Sequence, residues 1–137
     1  MIKRVLIVAL ACLCGHLSAG DLSAATTAKF VRLLLQGAGV HAVACGEREV
    51  AGELTNLGVA LDPESKVVWA DSDKDVARFA KQGRMVICGS KVLLGSGATL
   101  AVVAEGGHPV IYLNPRALTA SGVTLPDNIV KLAKVSQ

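Results

Sequence analysis

The sequence contains few aromatic residues and no run of basic ones. Only 3% of its 137 residues are aromatic, and its 14 lysines and arginines are scattered along the chain. Proteins that bind nucleic acids usually gather basic residues on one face, and those that bind single strands add aromatic rings for the bases to stack on. The sequence therefore gives no indication of nucleic-acid binding.

The motifs of common enzyme classes are also missing. The stretch at 95–97, Gly-Ser-Gly, lacks the third glycine of a dinucleotide-binding fingerprint, and the stretch at 89–91, Gly-Ser-Lys, lacks the upstream glycine of a phosphate loop. No serine lies in the Gly-x-Ser-x-Gly context of a hydrolase. No set of nucleophile, base and orienting residue can be assembled, so we expect no catalytic residue and no cofactor.

Metal-binding patterns are weak as well. Asp71, Asp73 and Asp75 alternate as in a calcium loop, but the glycine and glutamate that such a loop needs further on are absent. These acids fit better at the start of a helix, where they favour its positive end. His41 and His108 stand alone, and a metal site needs three or four ligands. We therefore expect no metal.

The first 25 residues have the pattern of a secretory signal peptide. Two basic residues precede an apolar run of about nine residues and then small residues, which is the order of the regions of such a signal. The run is too short to span a bilayer, which takes about 20 residues. We expect cleavage after Ala19, Gly20 or Ala25, export to the periplasm, and one domain over residues 26–137 that spans no membrane. A lipid-anchored start at Cys12 is the rival prediction, with a poor preceding triplet.

Short apolar runs alternate with helical patterns along the rest of the chain, and glycine follows most of them. The predicted strands cover 40–45, 66–70, 84–88, 99–105 and 109–114, and the predicted helices cover 26–36, 47–58 and 71–83. This alternation predicts right-handed crossovers and a mostly parallel sheet covered on both faces. Gly106-Gly107 predicts an antiparallel hairpin near the C-terminal end. The fold class is therefore α/β, as a three-layer domain.

Two cysteines, Cys45 and Cys88, remain after the expected cleavage. An even pair in an exported protein suggests a disulfide. Both lie at the C-terminal ends of predicted strands, so their sulfurs can meet if the first and third predicted strands are neighbours. Two unpaired core residues, or a redox-active thiolate at a helix N-terminus, are the alternatives.

The C-terminal stretch at 110–135, VIYLNPRALTASGVTLPDNIVKLAKV, is strongly patterned. A strand stops at Asn114, Pro115 opens a short helix that Gly122 ends, and a second helix follows. We expect the Asn114 side chain to bond backbone groups at this turn. We also expect Ile129 and Leu132 to be buried on one helical face.

This ending resembles that of the YfiR-like family of exported bacterial proteins. The family pattern runs Ile-Asn, Ala, Gly-Leu and then a Leu-Leu-x-Leu-Ala helix. Leu113-Asn114, Ala117, Gly122-Val123 and 129–133 match it here, and the stretch at 28–31, Ala-Lys-Phe-Val, is similar to the start of the family's first helix. The Trp-Pro pair that usually ends that helix is replaced by Leu-Leu-Gln-Gly.

The resemblance implies a non-enzymatic periplasmic protein. The best-understood family members bind the periplasmic part of an inner-membrane diguanylate cyclase and repress it, which places them in cyclic di-GMP signalling. They carry redox-sensitive disulfides and tend to dimerise. We therefore expect a regulatory protein that acts through protein–protein interaction. The alternative is a periplasmic small-ligand-binding protein or enzyme that uses the carboxyl edge of the sheet near Gly46 and Gly89, where open α/β folds bind ligands.

Overall fold

The computed structural model describes residues 22–135. Most of the expected signal peptide, including Ala19 and Gly20, lies outside the described residues. Ala25 lies inside the first helix, whose N-terminal cap is Ser23. The first helix thus begins at Ala24, two residues before residue 26. Within the described residues no helix is both long and apolar enough to cross a membrane.

The described residues form one seven-stranded sheet, and its strands are arranged in the order β2-β1-β3-β4-β5-β6-β7. The strands are β1 (Ala42–Cys45), β2 (Ala60–Leu61), β3 (Val67–Trp69), β4 (Met85–Cys88), β5 (Leu100–Glu105), β6 (His108–Leu113) and β7 (Lys134–Val135). All neighbours are parallel except β5 and β6, which form an antiparallel hairpin. Gly106 and Gly107 both have positive φ, which a two-residue hairpin turn requires.

Helices cover both faces of the sheet. They are α1 (Ala24–Ala38), α2 (Arg48–Asn56), α3 (Asp73–Lys81), a 3-10 helix (Lys91–Ser96), α4 (Pro115–Ser121) and α5 (Asp127–Leu132). One buried cluster joins α1, α2 and α5 to one face of the sheet, and a second joins α3 and the 3-10 helix to the other. The predicted three-layer α/β fold with a mostly parallel sheet is confirmed.

Helix α1 shows how the apolar pattern determines burial. Its buried residues are Thr27, Ala28, Val31, Leu34 and Leu35, the spacing of one helical face. We expected Gly37 and Gly39 to stop this helix; Gly37 is still helical, and Gly39 in the left-handed conformation is the cap. A Cβ at Gly37 would lie 2.9 Å from Pro126 and 3.0 Å from Ile129. A residue without a side chain therefore lets α1 approach α5.

Two short strands and one exposed leucine differ from the sequence predictions. The strands β2 and β7 were not predicted, because both are two residues long and their side chains are exposed. Ile129 is buried as expected, but Leu132 is 77% exposed, so the prediction that it is buried is wrong. The physical reason is that α5 ends at Leu132 and the backbone turns extended at Ala133.

Candidate functional site

A groove of about 600 Å³ lies at the carboxyl ends of β2, β1 and β3. The helix that follows β1 packs on one face of the sheet, and the helix that follows β3 packs on the other. The chain therefore leaves the sheet in opposite directions on the two sides of this point. Open α/β folds bind ligands at such a topological switch point. We call this feature the edge groove.

The floor of the edge groove is made of small apolar side chains. Ala44, Val68 and Ala70 come from β1 and from β3 and the residue after it, and all three are buried. Leu61 and Phe79 add apolar atoms from β2 and α3. Leu61 is 43% exposed and Phe79 is half-buried, so these two side chains provide apolar surface that a ligand can contact.

Four carboxylates also line the edge groove, and we call them the rim. They are Glu47, Asp62, Asp71 and Asp75, and the one cation among the described lining residues is Arg78, so these five side chains carry a net charge of −3. The chain as a whole carries +3. Arg78 forms an ion pair with Asp75 at 3.2 Å, and its guanidinium carbon lies 4.6 Å from the centre of the Phe79 ring. The local charge of the groove is therefore opposite in sign to that of the protein.

Glu47 and Trp69 are joined across two strand ends. The indole Nε1 of Trp69 donates to Oε2 of Glu47 at 2.7 Å. Glu47 stands at the N-cap position of α2, and its side chain makes no capping bond within the described chain. Trp69 is only 5% exposed. It lines both the edge groove and a second groove of about 230 Å³ that also contacts residues of α1 and α2. The only tryptophan of the chain is therefore placed to report on this edge.

The two glycines of the predicted strand edge have different environments. A Cβ at Gly89 would lie 3.3 Å from both Asp71 Oδ1 and Trp69 Cη2, and the Gly89 amide donates to Asp71 Oδ1 at 3.0 Å. Gly89 therefore permits a close approach. Gly46 lines the edge groove, and a Cβ there would meet nothing within 4 Å. Its φ is not positive, so a side chain at Gly46 would extend into open space without backbone strain.

The two cysteines are free thiols in this structure. The condition for their pairing, that the strands carrying them are neighbours, does not hold because β3 lies between β1 and β4. Two strand spacings amount to about 9.5 Å, beyond the reach of a disulfide. In addition, Cys45 packs against the cluster beneath α1 and α2, whereas Cys88 belongs to the cluster beneath α3. The predicted Cys45–Cys88 disulfide is therefore corrected to two separate thiols.

Neither thiol has the environment of a reactive cysteine. Burial raises the pKa of Cys88 to about 12, although a hydrogen bond with the backbone of Ser90 opposes the shift. Burial also raises the pKa of Cys45, whose Sγ lies 3.6 Å from the Glu47 carbonyl. Nucleophilic and redox-active cysteines have lowered pKa values. The pKa values of Cys45 and Cys88 are both raised, which is the opposite direction.

The C-terminal residues singled out from the sequence have structural roles. Asn114 Oδ1 accepts the amide of Ala117 at 3.2 Å and so caps α4, and Asn114 Nδ2 lies 3.4 Å from the Leu94 carbonyl. Pro115 occupies the start of α4, and Gly122 ends it in the left-handed conformation. These residues are absent from the lining of both grooves. The expected backbone role of Asn114 is confirmed.

The remaining candidates do not form a site. Ser72 caps α3 by accepting the amide of Asp75, and Asp73 and Asp75 lie in its first turn, as expected from the alternating acids. His41 and His108 are exposed. Within residues 22–135, no three His, Cys, Asp or Glu side chains are grouped closely enough to hold a metal ion.

Comparison with known proteins gives the fold and no family. No family model and no curated protein matches the chain. A solved conserved domain protein from Vibrio cholerae O1 biovar El Tor is 15% identical over 85% of this chain, with a TM-score of 0.61. An ABC domain from Streptococcus pneumoniae, solved in complex with L-Trp, is 11% identical over 85% of this chain, also with a TM-score of 0.61. This chain covers only 61% and 63% of those two proteins.

Proposed function

We propose that this protein is an exported, non-enzymatic binding protein that recognises a small molecule in the edge groove. The observation that carries the proposal is the position of a 600 Å³ groove at the topological switch point of the sheet. Its volume lies within the range of small-molecule sites, about 300–1,000 Å³. Its apolar floor with a few polar groups around it is also typical of such sites. The structural neighbour solved in complex with L-Trp has a similar fold, which supports small-molecule binding by a protein of this fold.

Binding to the edge groove can be tested with Trp69 as the reporter. Mature protein is titrated with the small-molecule fraction of a periplasmic extract while Trp69 fluorescence is recorded. The matched variant is Gly46→Leu, because Gly46 lines the groove and has open space and no positive φ to oppose a larger side chain. We expect the extract to change the emission of the wild type and not that of the folded variant. An equal response of both proteins, or none from either, would contradict the proposal.

The export step of the proposal makes a specific prediction about the N-terminus. Ser23 caps α1 by accepting the amide of Thr26. Cleavage after Ala25 would remove this cap, whereas cleavage after Ala19 or Gly20 retains it. We therefore propose a periplasmic form that begins at residue 20 or 21. Mass spectrometry of the N-terminal peptide from a periplasmic fraction tests this, and an abundant cytoplasmic form that keeps Met1 would refute export.

A second candidate function is regulation of an inner-membrane signalling protein, as the YfiR-like resemblance implies. The observation that favours it is a group of exposed apolar residues at the open edge of the sheet. Val130, Leu132 and Val135 are 37%, 77% and 61% exposed, and they lie on α5 and on the edge strand β7. Exposed apolar patches often mark interaction surfaces. The proposed partner is the periplasmic domain of a diguanylate cyclase or sensor.

This candidate is tested by pull-down from solubilised inner membranes. We expect the mature protein to capture a protein that contains a diguanylate cyclase or sensor domain, identified by mass spectrometry. The Leu132→Asp variant should no longer capture this partner. The Val92→Asp variant, changed at an 83% exposed position on the 3-10 helix, should still capture it. Equal capture by both variants would exclude the C-terminal surface. Sedimentation of the mature protein tests the dimerisation that the resemblance also implies.

A further inference from the structure

We infer that the edge groove selects an organic cation, an ammonium or guanidinium group carried on an apolar body. The inference rests on the proposed ligand-binding function and names the chemical class of the ligand. It follows from the negative charge of the rim, from the apolar side chains that line the same groove, and from carboxylate oxygens that can accept further hydrogen bonds.

Two carboxylates of the rim can accept further hydrogen bonds. Glu47 uses Oε2 to accept from Trp69, and Asp62 uses Oδ1 to accept the Glu64 amide at 2.9 Å. Their second oxygens have no hydrogen-bond partner within residues 22–135. An ammonium or guanidinium group supplies the N–H donors and the positive charge that such oxygens accept.

The same rim disfavours anions. Among residues 22–135, the only cation in the lining is Arg78, which is already held by Asp75 and by the face of the Phe79 ring. An anionic ligand would therefore approach carboxylates without a free positive partner. Repulsion of like charges makes this the less favourable class.

The arrangement also distinguishes an organic cation from a metal ion. Metal ions require several ligands that converge on one point. No such group of three side chains occurs in the part of the chain that the structure describes. The carboxylates instead share the lining with Leu61 and Phe79, which offer contact surface to carbon atoms and no ligand to a metal. A charged head at the rim and an apolar body over the floor satisfy both parts of the groove.

Three probes with a common apolar body test the inference: 2-phenylethylamine, 2-phenylethanol and 3-phenylpropionate. Binding to the mature protein is measured by amide chemical shifts in NMR and by Trp69 fluorescence. We expect the amine to shift signals of groove residues, the alcohol to bind about tenfold more weakly, and the carboxylate to leave them unchanged. Raising the salt concentration from about 0.05 to 0.5 M should weaken binding of the amine and leave binding of the alcohol unchanged.

Charge-neutral variants assign the effect to the rim. Glu47→Gln and Asp62→Asn retain an oxygen that can accept from Trp69 and from the Glu64 amide. Each should weaken amine binding about fivefold, the upper range for an exposed charge pair, and leave the alcohol unchanged. Asp127→Asn, an exposed acid at the start of α5, is the control for net charge and should have no effect.

Several outcomes would overturn the inference. Equal binding of the alcohol or the carboxylate in the groove would remove the selection for cations and leave the proposed ligand-binding function intact. Amine shifts that persist in Gly46→Leu would place the amine elsewhere and also refute the inference. No shift with any probe would refute it too, while a response of the groove to the periplasmic extract would still support the broader proposal.

Discussion

Replacing Ile129 with alanine tests how the C-terminal segment stabilises the domain. Ile129 is 6% exposed and belongs to the cluster that joins α1, α2 and α5 to the sheet. The change removes three buried carbons, worth about 0.8 kcal/mol each, or about 2.5 kcal/mol in all. The cavity left behind adds to this loss, so we expect the free energy of unfolding to fall by about 3 to 4 kcal/mol.

Leu132→Ala is the matched control on the same helix. Leu132 is 77% exposed, so removing its side chain should change the free energy of unfolding by less than about 0.5 kcal/mol. Urea unfolding followed by the fluorescence of Trp69 measures both variants, because this buried indole becomes solvated when the domain unfolds. The midpoint should move for Ile129→Ala at an unchanged m-value.

Two outcomes of this comparison would contradict the reasoning. If Leu132→Ala costs as much as Ile129→Ala, the helix packs with a different face towards the sheet. If both changes are neutral, the C-terminal segment does not form part of the core.

Three further predictions concern the cap of α4, a crowded glycine and the cysteines. Asn114→Ala should lower stability by about 0.5 to 2 kcal/mol through loss of the cap, whereas Asn114→Ser should retain most of it in the same urea assay. Gly97 has φ +112 and a Cβ there would lie 2.8 Å from that of Ala80, so Gly97→Ala should cost about 2 to 6 kcal/mol. Adding Ala80→Gly should recover part of that loss, and no recovery would refute the steric explanation. At pH 8 Cys45 should be alkylated before Cys88, because burial raises the pKa of Cys88 to about 12 and keeps it as a thiol. Both should react after denaturation without reductant, and resistance until reduction would instead demonstrate a disulfide.

Much of the fold can be predicted from local sequence patterns. The strands β3 and β4 are continuous apolar runs that are buried on both faces, and they were predicted almost to the residue. The glycines at the hairpin turn also act locally, through their own φ values. The strands β2 and β7 could not be predicted, because two exposed residues gain their strand conformation only from pairing with β1 and β6.

The sequence indicated the carboxyl edge of the sheet near Gly46 and Gly89, but not the residues that line a groove there. Gly46 lines the edge groove, whereas Gly89 lines the second groove. Glu47 and Trp69 were missed, because their hydrogen bond joins residues 22 positions apart and depends on tertiary structure. A weak signal existed, since Glu47 follows the first strand end and Trp69 lies at the second. The cysteine pairing failed for a related reason, because strand order cannot be read from strand sequence.

The close approach of α1 to α5 affects the order in which the chain can fold. Hydrogen-bonded strands lie near one another in sequence, and even β1 and β3 have only the short α2–β2 unit between them. The contact of Gly37 with Pro126 and Ile129, by contrast, closes a loop of about 90 residues. Closing a loop of that length costs about 1 kcal/mol more entropy than closing one of about 25 residues. We therefore expect strand pairing to precede this contact, so the C-terminal end of α1 becomes covered late in folding, when the last helix docks.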